Sequence, residues 1–216
     1  MPLEIAIVDF GAGNLRSVAK ALETVGASAR VTQDPSEILA AKGVILPGVG
    51  SSGSAMTALH ERNLVEPLLE VAANGTPFLG VCLGLQLLLE TSEEDPDPCL
   101  GIVRGGGKRF VTDLKVPHMG WNQVNLLREH PLFQGVPSDS YFYFVHSYYV
   151  VPTEESEILA TTEYGINFCS VLARDNIIAT QFHPEKSGPI GLRVYENFVK
   201  HMVAGSVTNL PQKDIS

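Results

Sequence analysis

Two short stretches hold the residue types that could do covalent chemistry. In GVCLGLQ, residues 80–86, a cysteine carries a glycine two positions to either side within an otherwise apolar run. A free cysteine in such a run can be buried filler, because the thiol packs as a small hydrophobe. Filler, however, does not need the glycines. Gly80-Val81-Cys82-Leu83-Gly84 has the spacing of the strand-to-helix elbow that presents a nucleophile, with sulfur replacing the serine oxygen. A sharp turn there holds the nucleophile in a strained backbone conformation and presses the helix against the sheet, so side chains two residues before and after would collide. A thiol at the positive end of a helix becomes a better nucleophile. The N–H of Leu83 would then face the oxyanion formed when sulfur attacks a carbonyl. Cys99, in a proline-rich loop, and Cys169, in an alternating strand, lack this setting and read as structural.

The second stretch is Gln181-Phe182-His183-Pro184-Glu185, just after the strand-like residues 177–180. In extended chain, residues i and i+2 point the same way, and a proline pushes the residue before it toward that geometry. His183 and Glu185 can therefore lie side by side, the carboxylate fixing the imidazole's tautomer while the imidazole exchanges protons with Cys82 and a leaving group. Alone, His-Pro-Glu reads equally well as an ordinary turn; beside the elbow it completes a candidate Cys-His-Glu triad. His146, in FVHSYY, is the competing histidine but has no carboxylate neighbour in sequence. His60, His118, His130 and His201 are expected on the surface or on helices. Gln86 lies one helical turn beyond Cys82, and an amide there needs a partner if buried; plain helix packing is its alternative.

The elements that would position these residues alternate in the first half. Apolar runs at 3–8, 29–32, 43–46 and 78–82 read as strands. Helical periodicity lies between them: Leu15, Val18, Ala19, Leu22 and Val25 before Gly26, a pattern ending near Asn74-Gly75, and residues 85–90. That alternation is the signature of a parallel sheet flanked by helices. After the acidic, proline-bearing loop 93–98, residues 124–127, 141–151, 157–162 and 168–174 read as more antiparallel strands, and a helix over 190–202 closes the fold. PGVGSSGS, between a strand and a helix, leaves backbone N–H groups free to approach a ligand. GAGN at 11–14 lacks the third glycine of a dinucleotide site, and GGGK at 105–108 lacks the phosphate-loop spacing. Residues 205–216 are expected to form a frayed tail.

Composition narrows the partners. The 216 residues are 44% hydrophobic with a net charge of -9 and no basic stripe, which argues against nucleic acid. The three cysteines stand at wide spacing, so neither a disulfide framework nor a CxxC zinc site is expected. His60-Glu61 would need a second histidine at 64, where Leu64 stands, so no metal is expected. No signal peptide or membrane span is expected, and a reducing cytoplasm is the default compartment.

Through GVCLGLQ, PGVG and QFHPE the chain resembles the triad-type, class I glutamine amidotransferases, from LEIAIVDFGAGN to the final helix. The acid following the histidine by two positions separates it from an α/β-hydrolase order. The resemblance implies a flavodoxin-like three-layer α/β fold, a mixed sheet with helices on both faces, and a single amidotransferase domain over 1–204. It implies hydrolysis of L-glutamine to glutamate and ammonia through a γ-glutamyl thioester, without cofactor, with Cys82, His183 and Glu185 catalytic. By the same resemblance, Leu83 and Gly48, Val49 and Gly50 supply the oxyanion site, the Gly48-Val49 peptide reorienting to give the second donor. Gln86 and the backbone of His146, Ser147 and Tyr148 would hold the glutamine. IVDFGAGNL, PGVGSSGSAM and KVPHMGWN are similar to members that pass ammonia to a separate (β/α)8-barrel cyclase subunit as a heterodimer. Asn14, Pro117, His118, Met119 and Trp121 would face that partner from a loop and a turn-like stretch, aromatic and methionine side chains being common interface anchors. Core packing is the alternative for Trp121. The competing functions are a sister amidotransferase serving another synthase, a non-enzymatic flavodoxin-like interaction module, and a cysteine hydrolase with another substrate.

Overall fold

A computed structural model describes residues 5–11 and 13–205. The first half runs β1 (Ile5–Val8), α1 (Leu15–Thr24), β2 (Ala29–Thr32), α2 (Pro35–Ala40), β3 (Gly43–Gly48), α3 (Ser52–Glu61), α4 (Val65–Ala73), β4 (Phe78–Cys82) and α5 (Leu83–Leu87). Then follow β5 (Thr91–Ser92), β6 (Gly105–Arg109), β7 (His118–Leu126), β8 (Ser140–His146), β9 (Tyr148–Pro152), β10 (Ile158–Glu163), β11 (Asn167–Arg174), β12 (Ile177–Thr180) and α6 (Gly188–Asn197). A π-helical turn, Phe198–Val203, ends the last helix.

The strands form one mixed sheet whose main path runs β2-β1-β3-β4-β12-β11-β10-β7-β8, with β9 joined to β11, β6 to β9 and β5 to β6. From β2 to β12 every neighbour is parallel; from β12 to β8 every neighbour is antiparallel. β1, β3, β4 and β12 are buried along their whole length, which is why they read as unbroken apolar runs. Their side chains alternate between two cores. Ile5 and Ile7 join the cluster under α1 and α6, with Val18, Leu22, Val194 and Phe198. Ala6 and Val8 join the opposite cluster, with Ile38, Leu59 and Leu68 from α2 to α4. Helices therefore cover both faces of the mixed sheet, a three-layer α/β arrangement.

Several boundaries depart from expectation. The helical pattern ending near Asn74-Gly75 is two helices, parted where Asn63 takes the left-handed conformation at φ 55°. α2 is additional; Asp34 caps it by accepting from Ser36 N at 2.8 Å, and Pro35 sits in its first turn. The strand expected over 141–151 breaks at Ser147 into β8 and β9. Residues 118–121, expected as a turn, lie in β7, because they pair with β8 in antiparallel register from His118↔His146 to Val124↔Ser140. Gly105 to Lys108 lie on β6, paired with β9. Of the expected first strand, residues 3 and 4 lie outside the described residues, as does the tail beyond Gly205. Among the described residues no helix is long and apolar enough to cross a membrane.

Candidate active site

Cys82 closes β4 with φ 55° and ψ −107°, a conformation that non-glycine residues rarely hold and that costs about 1–3 kcal/mol. Three glycines make the sharp turn possible. A Cβ on Gly84 would fall inside the Leu46 carbonyl oxygen of β3, and one on Gly80 would stand 3.0 Å from both Ala179 Cβ and the Gly84 carbonyl. Gly48 pairs with Cys82 across β3 and β4, and a Cβ there would lie 2.9 Å from Leu83 Cβ. The helix thus starts hard against the sheet, with the thiol at its first turn.

β12 lies parallel to β4, Thr180 opposite Val81, so the chain leaving β12 delivers residues 181–185 beside Cys82. His183 is extended, but Glu185 reaches it from a short 3-10 turn, Pro184–Lys186, rather than from continued strand. His183 Nδ1 is 2.8 Å from Glu185 Oε1, and both side chains are almost fully buried. The carboxylate is held from two further directions: Asn14 Nδ2 donates to Oε1, and Tyr195 OH donates to Oε2 at 3.2 Å. His183 N donates to the Tyr143 carbonyl at 2.9 Å, tying the imidazole's backbone to β8. Burial by itself would depress the imidazole's pKa, but hydrogen bonding and charge from Cys82 and Glu185 outweigh it and raise the value to about 9. Nε2 is buried and, among the described residues, has no partner in hydrogen-bond geometry, although the Cys82 thiol is close enough to exert that effect.

A cavity of about 360 Å³ opens onto these groups, a size suited to a small ligand. Val49, Gly50, Cys82, Leu83, Gln86, His146, Ser147, Tyr148 and His183 all line it, so residues read from separate motifs converge there. Gln86 is buried; its Nε2 donates to the Tyr148 carbonyl at 3.1 Å and to Gln181 Oε1 at 3.2 Å. Gln181 in turn directs Nε2 at Cys82 Sγ, 3.7 Å away. Sequence reasoning passed over Gln181, although the signal that marked Gln86, an amide in apolar surroundings, was present two residues before His183. It also passed over Glu94, which lines the cavity and accepts from Ser52 N at 2.8 Å at the start of α3. Nothing local distinguishes Glu94 from the acidic residues around it.

The segments expected to face a partner divide. Met119 and Trp121 are 62% and 55% exposed, so Trp121 is not a core residue. Trp121 lies edge-on to Tyr143 with ring centres 6.2 Å apart, and Lys186 Nζ stands 5.8 Å from the Tyr143 ring centre. His118 is a correction on two counts, being neither a surface residue nor available on the outer face: strand alternation turns it inward, where it is 3% exposed. Asn14 is half-buried and directs its amide at Glu185, and Pro117 lines the cavity. Of the other histidines, His60 is exposed on α3, whereas His130 accepts from Leu132 N at 3.1 Å as the cap of a 3-10 turn.

A buried cysteine on a strained elbow, an imidazole held by a carboxylate and a small pocket lined by both can carry out acyl transfer through sulfur. Comparison with known proteins points the same way. The family model for glutamine amidotransferase class-I matches residues 6–202. The chain is 53% identical over 195 residues to the imidazole glycerol phosphate synthase subunit HisH of Moorella thermoacetica, covering 90% of this chain and 93% of that one. It is 48% identical over 197 residues to the HisH subunit of Dehalococcoides mccartyi strain 195, covering 91% and 96% of the two chains. Among solved structures, a glutamine amidotransferase crystal structure superposes with a TM-score of 0.74 at 18% identity, over 93% of this chain and 98% of the other. PurLQS from Thermotoga maritima gives 0.75 at 16% identity, over 93% and 99%. At such identities the solved structures speak for the fold alone.

Proposed function

Because the chain belongs to the class I glutamine amidotransferases, we propose that it is the glutaminase subunit of an imidazole glycerol phosphate synthase, working in histidine biosynthesis. It hydrolyses L-glutamine and passes the ammonia to a (β/α)8-barrel cyclase subunit. The observation that carries the reading is the meeting of the strained Cys82 elbow with the buried His183–Glu185 pair in one small pocket.

In this reading the Cys82 thiol gives its proton to His183 Nε2 and the sulfur attacks the side-chain amide carbon of glutamine. The carbonyl electrons move to oxygen, which the Leu83 N–H and an N–H from Gly48 to Gly50 receive. The proton held on His183 passes to the amide nitrogen, the C–N bond breaks, and ammonia leaves a thioester on sulfur. Water then gives its proton to His183 and its oxygen to the acyl carbon; the C–S bond breaks, and glutamate leaves. Glu185 keeps the imidazole in the tautomer with hydrogen on Nδ1 and stabilises its cationic form. Gln86 has both amide hydrogens committed, which leaves its Oε1, with the Glu94 carboxylate, as acceptors for the substrate's ammonium. Met119 and Trp121 form the anchors for the barrel subunit, supported by their exposure on β7.

The test is a glutaminase assay of the chain alone and with the barrel subunit plus its nucleotide ligand. Slow hydrolysis alone and faster hydrolysis in the complex are expected, with no activity from Cys82→Ala under either condition. Brisk turnover independent of the partner overturns the proposed switching of the Gly48-Val49 peptide. Absence of glutamine turnover with every synthase partner overturns the substrate.

A further inference from the structure

Two buried imidazoles beside the pocket take no part in the steps above. His118 Nδ1 lies 2.9 Å from His146 Nε2. His146 Nδ1 lies 2.8 Å from the Tyr148 carbonyl oxygen, and Asn122 Nδ2 lies 3.2 Å from His118 Nε2. The hydrogens can be assigned from either end of this chain of contacts. A backbone carbonyl only accepts, so His146 carries hydrogen on Nδ1 and offers Nε2 as an acceptor. At the far end, Asn122 Oδ1 accepts from Gln123 N at 2.8 Å and Nδ2 donates to the Glu163 carbonyl at 2.9 Å, which orients the amide. Its second hydrogen then points at His118 Nε2, so His118 carries hydrogen on Nδ1, the atom that faces His146. Backbone groups on different strands thus demand the same pair of neutral tautomers.

The surroundings agree with neutrality. His118 is sandwiched by Tyr164 and Phe144, with ring centres 3.9 Å and 4.9 Å away. Burial pushes its pKa down to about 4, and burial pushes His146 down to about 3, a neighbouring His118 and His183 adding to the effect. The two rings face each other because His118 of β7 is in register with His146 of β8. The Tyr148 carbonyl at the end of the relay accepts from Gln86 Nε2 as well, so one oxygen is pinned by two donors.

We propose that His118 and His146 are positioning residues for substrate binding: their hydrogen-bond relay aims the Tyr148 carbonyl, and with it the Gln86 amide and the Ser147-Tyr148 backbone, at the bound glutamine. The proposal rests on the reading that these groups hold glutamine. It also gives β7, whose outer face carries Met119 and Trp121, a direct hydrogen-bonded link to the pocket through its inner face.

The test uses the full chain in complex with its barrel subunit. His118→Phe keeps a ring between Tyr164 and Phe144 but removes the donor; His118→Asn returns an amide N–H near the place of Nδ1. Loss of one buried hydrogen bond is expected to raise KM for glutamine roughly tenfold in His118→Phe, with kcat changing less than about threefold. His118→Asn is expected to recover KM to within about threefold of wild type. Nitrogen NMR of wild-type protein labelled in histidine supplies a readout that does not need the variants to fold: His118 and His146 should both be neutral with hydrogen on Nδ1 at pH 7. An Nε2-protonated ring at either position, an unchanged KM in His118→Phe, or equal KM values in the two variants overturns the proposal. A wild-type complex with no glutamine turnover overturns the underlying reading, and the proposal with it.

Discussion

Gly84→Ala tests whether the elbow is built by steric contact between α5 and the sheet. The added Cβ would fall inside the Leu46 carbonyl oxygen, far closer than the 3.0 Å that real Cβ atoms keep, and the obstacle is backbone of the central strand β3, which cannot swing aside as a side chain would. Relieving the overlap shifts the first turn of α5 by roughly 1 Å, and misplacing a reacting group by that much costs about 100-fold in rate. Cys82 is two residues away and leads directly into that turn, so the thiol moves with it. The expected outcome is a fall in kcat/KM of about 100-fold or more, with a loss of stability of about 1–3 kcal/mol from overpacking. Gly107→Ala, on β6, is the matched control, since its Cβ would stand 3.2 Å from the Ser92 side-chain oxygen and in ordinary contact, at 3.6 Å, with Ser92 Cα and Cβ. Steady-state glutaminase kinetics of the complex and urea denaturation of each variant make the measurement, with iodoacetamide labelling of Cys82 reporting on thiol presentation. A Gly84→Ala protein that labels, turns over and unfolds like Gly107→Ala would refute the steric account of the elbow.

Further outcomes follow from the same geometry. Glu185→Gln removes the charge that His183 Nδ1, Asn14 and Tyr195 all address, and kcat should fall about 1,000-fold or more while KM stays near wild type; rates within tenfold of wild type would contradict it. Trp121→Ala should weaken binding of the barrel subunit about 30-fold by calorimetric titration, because exposed aromatic anchors dominate interfaces, while the isolated chain's melting temperature stays nearly constant since Trp121 is 55% exposed. Stability should peak near neutral pH. His118 and His146, pushed down to about 4 and about 3, stay neutral in the fold while the unfolded chain takes up protons below its ordinary value of about 6.5, so stability falls as pH drops through that range. His183, raised to about 9, does the reverse: its contribution is full below about 6.5 and is lost as pH climbs to about 9. Urea denaturation across pH should show both limbs, and His183→Gln should flatten the alkaline one; an unchanged alkaline limb would contradict the assignment.

Legibility in the sequence followed the range of the interaction. Gly80 and Gly84 announce the elbow around Cys82 because the motif is contiguous in sequence, although what bars a Cβ is partly remote: the Gly84 carbonyl and Ala179 crowd Gly80, and the Leu46 carbonyl of β3 crowds Gly84. His183 and Glu185 are legible for the same reason, since two positions along the chain keep them within reach, although the connecting turn is 3-10 rather than extended. β1, β3, β4 and β12 declare themselves as unbroken apolar runs because both of their faces are covered. The stretch from Pro117 to Trp121 misled, because proline and glycine signal a turn when read alone, whereas pairing with β8 holds those residues in a strand.

Identity of the nucleophile, its glycine shoulders and its acid-bearing histidine were therefore legible in the order of residues alone, each motif being complete within a few positions. Tertiary structure decided that β12 lies beside β4 and so brings His183 to Cys82. It also decided that Asn14 leans on Glu185, that Gln181 and Glu94 enter the site, and that His118 turns inward onto His146. These are matters of strand order and register, fixed by how two apolar cores close around one sheet, and no short window of sequence contains the partner that each of those side chains finds.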